Sequence, residues 1–229
     1  MSKILLLVVL LLTLYWLIPF ILTAGMGIGV LKRKESSEKI AFTFDDGPNP
    51  VYTPQLLDLL KINNIKATFF VVGSKSEKYP EVIARIHSEG HLIGMHNYVH
   101  KSNWVMAPWT LRRHLRMTAS IIEKITGDRP FYYRPPWGLV TLFDFLLMKQ
   151  YKIIHWSVMA EDWRIQGGSE KVKSRLLQKI KKGDVILLHD SGETMGADED
   201  APLNTIHALK EVFKELSRQG MTYARIDEL

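Results

Sequence analysis

The chain opens on an apolar run, Ile4 through Leu22, that carries no charge and is extended by weakly polar residues as far as Leu31. Such a run is long enough to cross a bilayer. A cleaved signal peptide is the competing reading. Signal apolar regions are shorter, however, and Thr23-Ala24-Gly25 makes a poor cleavage site, so residues 1–31 are expected to form an uncleaved transmembrane anchor. A polar linker over 32–39 follows, and from residue 40 to 229 apolar runs alternate with amphipathic stretches in what reads as one domain. The pattern predicts strands over Ile40–Phe44, Ala67–Val72, His91–Met95, Phe131–Tyr133, Ile153–Ser157, Val185–Leu188 and Thr222–Ile226. Helical spacing predicts helices over Thr53–Asn63, Tyr79–Ser88, Pro108–Thr126, Leu139–Gln150, Ser169–Lys181 and Pro202–Gln219. Strand followed by helix, repeated, implies a parallel α/β sheet with helices outside. Periodicity does not choose between an open doubly wound sheet and a barrel. In both, chemistry belongs at the carboxyl ends of the strands.

Composition narrows that chemistry. The 229 residues include no cysteine, which excludes disulfides, thiolate metal sites and cysteine nucleophiles and leaves histidine and carboxylate as metal ligands. Hydrophobic content of 46% with 24% charged residues excludes a disordered or fibrous chain. The net charge of +6 is mild, and no dense Lys/Arg stripe interleaved with aromatics provides a nucleic-acid groove. Lys3 flanks one end of the apolar run and Lys32, Arg33 and Lys34 the other, so the positive-inside rule alone leans toward a cytoplasmic domain.

Polar clusters fall at the ends of the expected strands. Asp45 and Asp46 end the first, before a Gly-Pro turn, and two adjacent carboxylates repel unless a cation offsets them. After the third strand, His96 and His100 stand four apart, a spacing that on a helical turn puts both imidazoles on one face for a metal. Arg134, in Arg-Pro-Pro-Trp-Gly, is suited to pair with a carboxylate while the stiff backbone presents an N–H to substrate. Asp162-Trp163 and His189-Asp190 add a further carboxylate and imidazole to the rim, the makings of a general acid and its tuning partner. His87, His91, His114, His155 and His207 lack such partners and read as surface or packing residues.

The motifs TFDDGP, HNYVH, RPPWG, EDW and VILLH, in that order from Ile40 to Ile226, resemble the five motifs of the polysaccharide deacetylase family (carbohydrate esterase family 4). The resemblance implies a distorted (β/α)7-type barrel preceded by one N-terminal transmembrane helix. It also implies hydrolytic removal of N-acetyl groups from an amino-sugar polymer, peptidoglycan or chitin-like, or from a lipid-linked sugar. By the same resemblance Asp46, His96 and His100 hold a divalent metal, zinc or cobalt; Asp45 is the general base, Arg134 holds it, His189 is the general acid and Asp162 tunes it. Trp163 and Leu187 would line the acetyl pocket, and the Trp137 backbone would face the oxyanion. Three departures stand out: Asn97 in place of Ser or Thr between the histidines, Met159 in place of the first aspartate of the fourth motif, and Trp137 in place of tyrosine. The alternatives are a catalytically silent glycan-binding module, motivated by Met159 and Asn97, and a hydrolase of another small amide. The expected setting is the cell membrane, with the domain outside or, by the flanking charges, in the cytoplasm. A monomer with no nucleic-acid partner is expected.

Overall fold

The computed structural model describes residues 2–229. Helix α1 covers Lys3–Gly25. The strands are β1 (Val30–Leu31), β2 (Lys39–Asp45), β3 (Thr68–Val71), β4 (Leu92–Met95), β5 (Tyr132–Tyr133), β6 (Lys152–Ile154), β7 (Val158–Met159), β8 (Val185–His189) and β9 (Thr222–Tyr223). Helices α2 (Tyr52–Ile62), α3 (Gly73–Lys78), α4 (Pro80–Ser88), α5 (Pro108–Thr126), α6 (Leu142–Leu147), α7 (Gly168–Lys179) and α8 (Ala201–Arg218) pack outside them.

Pairing is parallel throughout the sheet, in the order β1-β6-β5-β4-β3-β2-β8-β7, with β9 beside β2. The expected strand Ile153–Ser157 is split. Its first part, β6, pairs with β5, whereas β7, just downstream, pairs with β8. One bent run of chain therefore links the two sides of a curled, open sheet, and β1 extends it beside β6. This is the distorted barrel that the family resemblance implies, a choice periodicity left open, and the bend is what distorts it.

Period-two alternation sorts the side chains. On β2, Phe42 and Phe44 turn outward; Phe42 meets Phe213 of α8 with ring centroids 5.1 Å apart. Ala41 turns inward into a small cluster with Phe70, Ile154, Val185 and Ile226. Thr43 and Asp45 share that inward face. The register sets Thr43 beside Leu187 and Asp45 beside His189, so alternation alone aims the carboxylate and the imidazole at the mouth of the barrel.

The expected element boundaries need three corrections. Val30–Leu31 belongs to the sheet rather than to the anchor, because Gly27 and Gly29 take left-handed φ of 69° and 76° and end the helical path. The expected linker is tied down, with Lys34 N–H bonded to the Gly183 carbonyl and Arg33 paired with Asp184 at 2.5 Å. The helix expected over Leu139–Gln150 shortens to α6, whose start is fixed by a reciprocal cap between Thr141 and Asp144.

Candidate active site

β2 ends on Asp45 and the turn after it begins with Asp46, both buried. Asp46 Oδ1 lies 3.3 Å from His96 Nε2 and 3.2 Å from His100 Nε2, and the three ligand atoms all fall within 4.8 Å of one another. Neither contact has hydrogen-bond geometry, so Asp46 Oδ1 is buried without a partner. A buried carboxylate oxygen left bare between two imidazole nitrogens is a costly arrangement unless a cation completes it. The histidines are not on a helical turn, as the spacing alone allowed; residues 96–100 form an irregular loop.

The tautomers fit a cation as well. His96 Nδ1 lies 2.7 Å from the Arg134 carbonyl, which only accepts, so Nδ1 carries the proton and Nε2 offers its lone pair. Burial, and then the charge of His96, push His100 down to about 4, so this ring is neutral at physiological pH. Burial tends to raise the Asp46 pKa, but the adjacent His96 and the charges of His189 and His100 outweigh it and hold the group well below the usual carboxylate range. Thr194 steadies Asp46 from the other side, its hydroxyl donating to Oδ2 at 2.6 Å. One oxygen and two nitrogens are the donor set of an open divalent-metal site.

Asp45 is held differently. Arg134 is fully buried at the centre of the barrel and donates from Nη1 to Asp45 Oδ1 and to Thr43 Oγ1, both at 2.7 Å. Its Nε and Nη2 reach the carbonyls of Ile154 and His155, at 3.2 and 3.0 Å, and its guanidinium lies over the Phe70 ring, 4.2 Å from the centroid. With its donors engaged, the buried charge is compensated and Asp45 Oδ1 is fixed. Asp45 Oδ2 lies beside the same triangle, 3.9 Å from His96 Nε2.

Across the mouth, His189 Nδ1 is 2.9 Å from Asp162 Oδ1. Asp162 Oδ2 accepts from the His189 backbone N–H at 2.8 Å and from Thr205 Oγ1 at 2.9 Å. Burial pulls the His189 pKa down, but the charge and hydrogen bond of Asp162, helped by Asp46 and Asp45, raise it to about 9. In the metal-free chain the ring should therefore titrate near pH 9 by NMR, and Asp162→Asn should bring it back toward the ordinary value of about 6.5. The linkage has a definite sign. A raised folded-state pKa stabilises fully below about pH 6.5 and loses that contribution as pH climbs through 9. The metal-free chain should thus lose stability over that window relative to Asp162→Asn, and equal pH dependence in denaturant melts would contradict the coupling.

The cleft has a volume of about 420 Å³, and Trp137, Trp163 and Leu187 line it with Trp156, Met159 and Met195. Trp137 packs on His100, ring centroids 4.3 Å apart, and adopts φ 56°. Among the described residues, Asp46, Asn97, Trp137 and Glu161 share this left-handed backbone, with Asn64 the other non-glycine case. Strain concentrated on four loops around one cleft is characteristic of a functional site. The sequence reading missed Thr43, Thr194 and Trp156. Thr43 carried a signal, being two residues before Asp45 on the same strand face, whereas Thr194 lies in a polar loop without periodicity.

Asn97 is built into a buried network. Its side-chain nitrogen donates to the Lys101 carbonyl and to Asn103 Oδ1, at 3.1 and 2.9 Å, and its oxygen accepts from Tyr133 OH at 3.0 Å. Asn103 in turn donates to Asp144 Oδ1 at 2.8 Å. The network bolts the histidine loop to β5 and α6. Asn97→Ala would orphan several buried groups, at about 1–3 kcal/mol each, on a left-handed backbone that alanine disfavours. Thermal unfolding should show that loss, and zinc affinity by calorimetry should fall about 10–100-fold; unchanged values would mean the loop needs no brace.

Fold and site together define a barrel hydrolase that works at the carboxyl ends of its strands around a cation. The sequence model described as "Polysaccharide deacetylase" matches residues 32–150, and the chain belongs to that family. A peptidoglycan-N-acetylglucosamine deacetylase of Bacillus cereus is 34% identical over 201 residues, 85% of this chain and 89% of that protein. The peptidoglycan-N-acetylmuramic acid deacetylase PdaC of Bacillus subtilis is 35% identical over 190 residues, 83% of this chain but 38% of its own length. Among solved structures, the Bc1960 peptidoglycan N-acetylglucosamine deacetylase, crystallised with an N-oxidanyl-benzamide, superposes with a TM-score of 0.79 at 30% identity. That match covers 87% of this chain and 91% of the other.

Proposed function

We propose that this chain is a divalent-metal-dependent deacetylase that removes N-acetyl groups from the amino sugars of peptidoglycan, with α1 as its membrane anchor. One observation carries the reading: the Asp46–His96–His100 triangle is flanked by a braced carboxylate, Asp45, on one side and a raised-pKa imidazole, His189, on the other. The relatives point the same way, since both named enzymes deacetylate peptidoglycan sugars. Asp46, His96 and His100 would hold zinc or cobalt, which supplies Lewis acidity that acidifies water and polarises a carbonyl.

The remaining work falls to the protein's own groups. With Oδ1 tied to Arg134, Asp45 keeps Oδ2 free to take the proton of the attacking water. The Trp137 backbone N–H, on its left-handed turn beside His100, would donate to the developing oxyanion. His189, protonated and oriented by Asp162, delivers a proton to the departing amine, so the products are acetate and an ammonium sugar. Trp163 and Leu187 enclose the methyl end of the acetyl group and exclude water from it. A complete acid–base set favours this over a silent glycan-binding module.

The full chain, purified in detergent, should release acetate from peptidoglycan fragments when zinc or cobalt is supplied, lose that activity to a chelator, and recover it when metal is restored. Absence of acetate from peptidoglycan, chitin-type oligomers and lipid-linked amino sugars alike, with metal bound, would end the proposal.

A further inference from the structure

Helix α1 contains 23 residues, about 34 Å at 1.5 Å per residue. Much of it does not stand clear of the domain. Pro19 and Thr23 are buried, Phe20 packs edge-on against Trp104 with centroids 5.8 Å apart, and Thr13–Leu17 runs beside α6. Only the 10 residues Lys3–Leu12 are exposed at every position, and these span about 15 Å. A hydrocarbon core of about 30 Å needs roughly 20 apolar residues. If α1 crosses a membrane while packed as it is, the flank of the domain beside Thr13–Gly25 must itself lie in the lipid.

That flank is dressed for lipid. Val105 is 69% exposed, Trp109 76% and Leu146 63%, as open as Ile4 at 76% in the free part of α1. Trp104 ties the elements together, since its indole N–H donates to the Val140 carbonyl at 2.9 Å, just before α6. Down the exposed side of α5, Trp109 is followed at helical spacing by Arg112, Arg113 and Arg116, all exposed. Residues 90–122 contain no Asp or Glu. An aromatic and aliphatic edge backed by arginines suits the boundary between acyl chains and anionic headgroups.

We infer that the face formed by the Trp104–Trp109 loop, the start of α5 and α6 docks on an anionic bilayer, sinking its apolar edge and setting the arginines among the phosphates. The inference rests on the anchor role proposed for α1 but not on the chemistry of the cleft. It bears on substrate because the histidine loop leads directly into this face, His100 standing just before Trp104 in the chain.

The chain lacks cysteine, so single fluorophores can be placed in the full protein at Val105→Cys, Leu146→Cys, Leu10→Cys on α1 and Lys210→Cys on α8. In phosphatidylglycerol-containing vesicles, the labels at 105, 146 and 10 should shift to the blue, resist aqueous iodide and be quenched by nitroxide lipids. The label at 210 should remain open to iodide. Arg112→Glu combined with Arg113→Glu should return the 105 label to water. If the label at 10 is protected while those at 105 and 146 quench with iodide like that at 210, docking is overturned and the anchor stands. If the label at 10 is also accessible, both fall. Acetate release, measured on the same preparations, reports separately on the deacetylase reading.

Discussion

Asparagine in place of Asp45 is expected to slow acetate release by about 10²–10⁴-fold, the usual worth of a general base, while leaving zinc binding intact. Asparagine has the same outline and can still accept from Arg134, but it cannot take a proton from water. The three groups that meet at the cation site are untouched by the change. Arg134 retains Thr43 and the Ile154 and His155 carbonyls as acceptors, so the barrel should still fold. Initial rates on peptidoglycan fragments, together with zinc calorimetry, make the check. Full activity would remove Asp45 from the chemistry, and loss of zinc would turn it into a ligand.

His96→Ala should have the larger effect, abolishing both turnover and metal-linked stability. It removes one of three donors, and it also removes the imidazole that pins the Arg134 carbonyl at 2.7 Å. Zinc at 100 times its dissociation constant should stabilise the unaltered chain by about 2.7 kcal/mol by mass action. The variant's melting temperature should not respond to the same zinc concentration. A preserved zinc-induced shift would place the cation elsewhere.

Much of this architecture is legible in the sequence because buried parallel strands are short, apolar and end in polar residues. Asp45, Asp46, His96, Arg134 and His189 all directly follow or end such runs, so strand ends located them before any distances were known. The distances themselves were not legible. Nothing local in Thr194 announces a contact with Asp46, and the loop holding it is as polar as any surface loop. The bend after Ile154 was hidden for another reason: the run from Ile153 to Ser157 reads as continuous, and only competition between β5 and β8 for partners breaks it. Val30–Leu31 was absorbed into the anchor because hydropathy does not distinguish lipid from a sheet edge. Asn97 stood out only as a departure from Ser or Thr, whereas the structure partners it with Asn103, just past the motif, and with Tyr133, 36 positions away.

The pairing of β2 with β8 joins segments more than a hundred residues apart, as the hydrogen bond from Thr43 to Ile186 across 143 positions shows. Asp45 and His189 become neighbours only through that pairing. Contacts between such distant segments form late and slowly, because a long loop must close before anything rewards it. The two groups proposed to take and give the proton are therefore strangers for most of the folding reaction. On the proposed mechanism, half-made or truncated chains would carry Asp46, His96 and His100 without His189, and hydrolysis would begin only once the two ends of the domain have met.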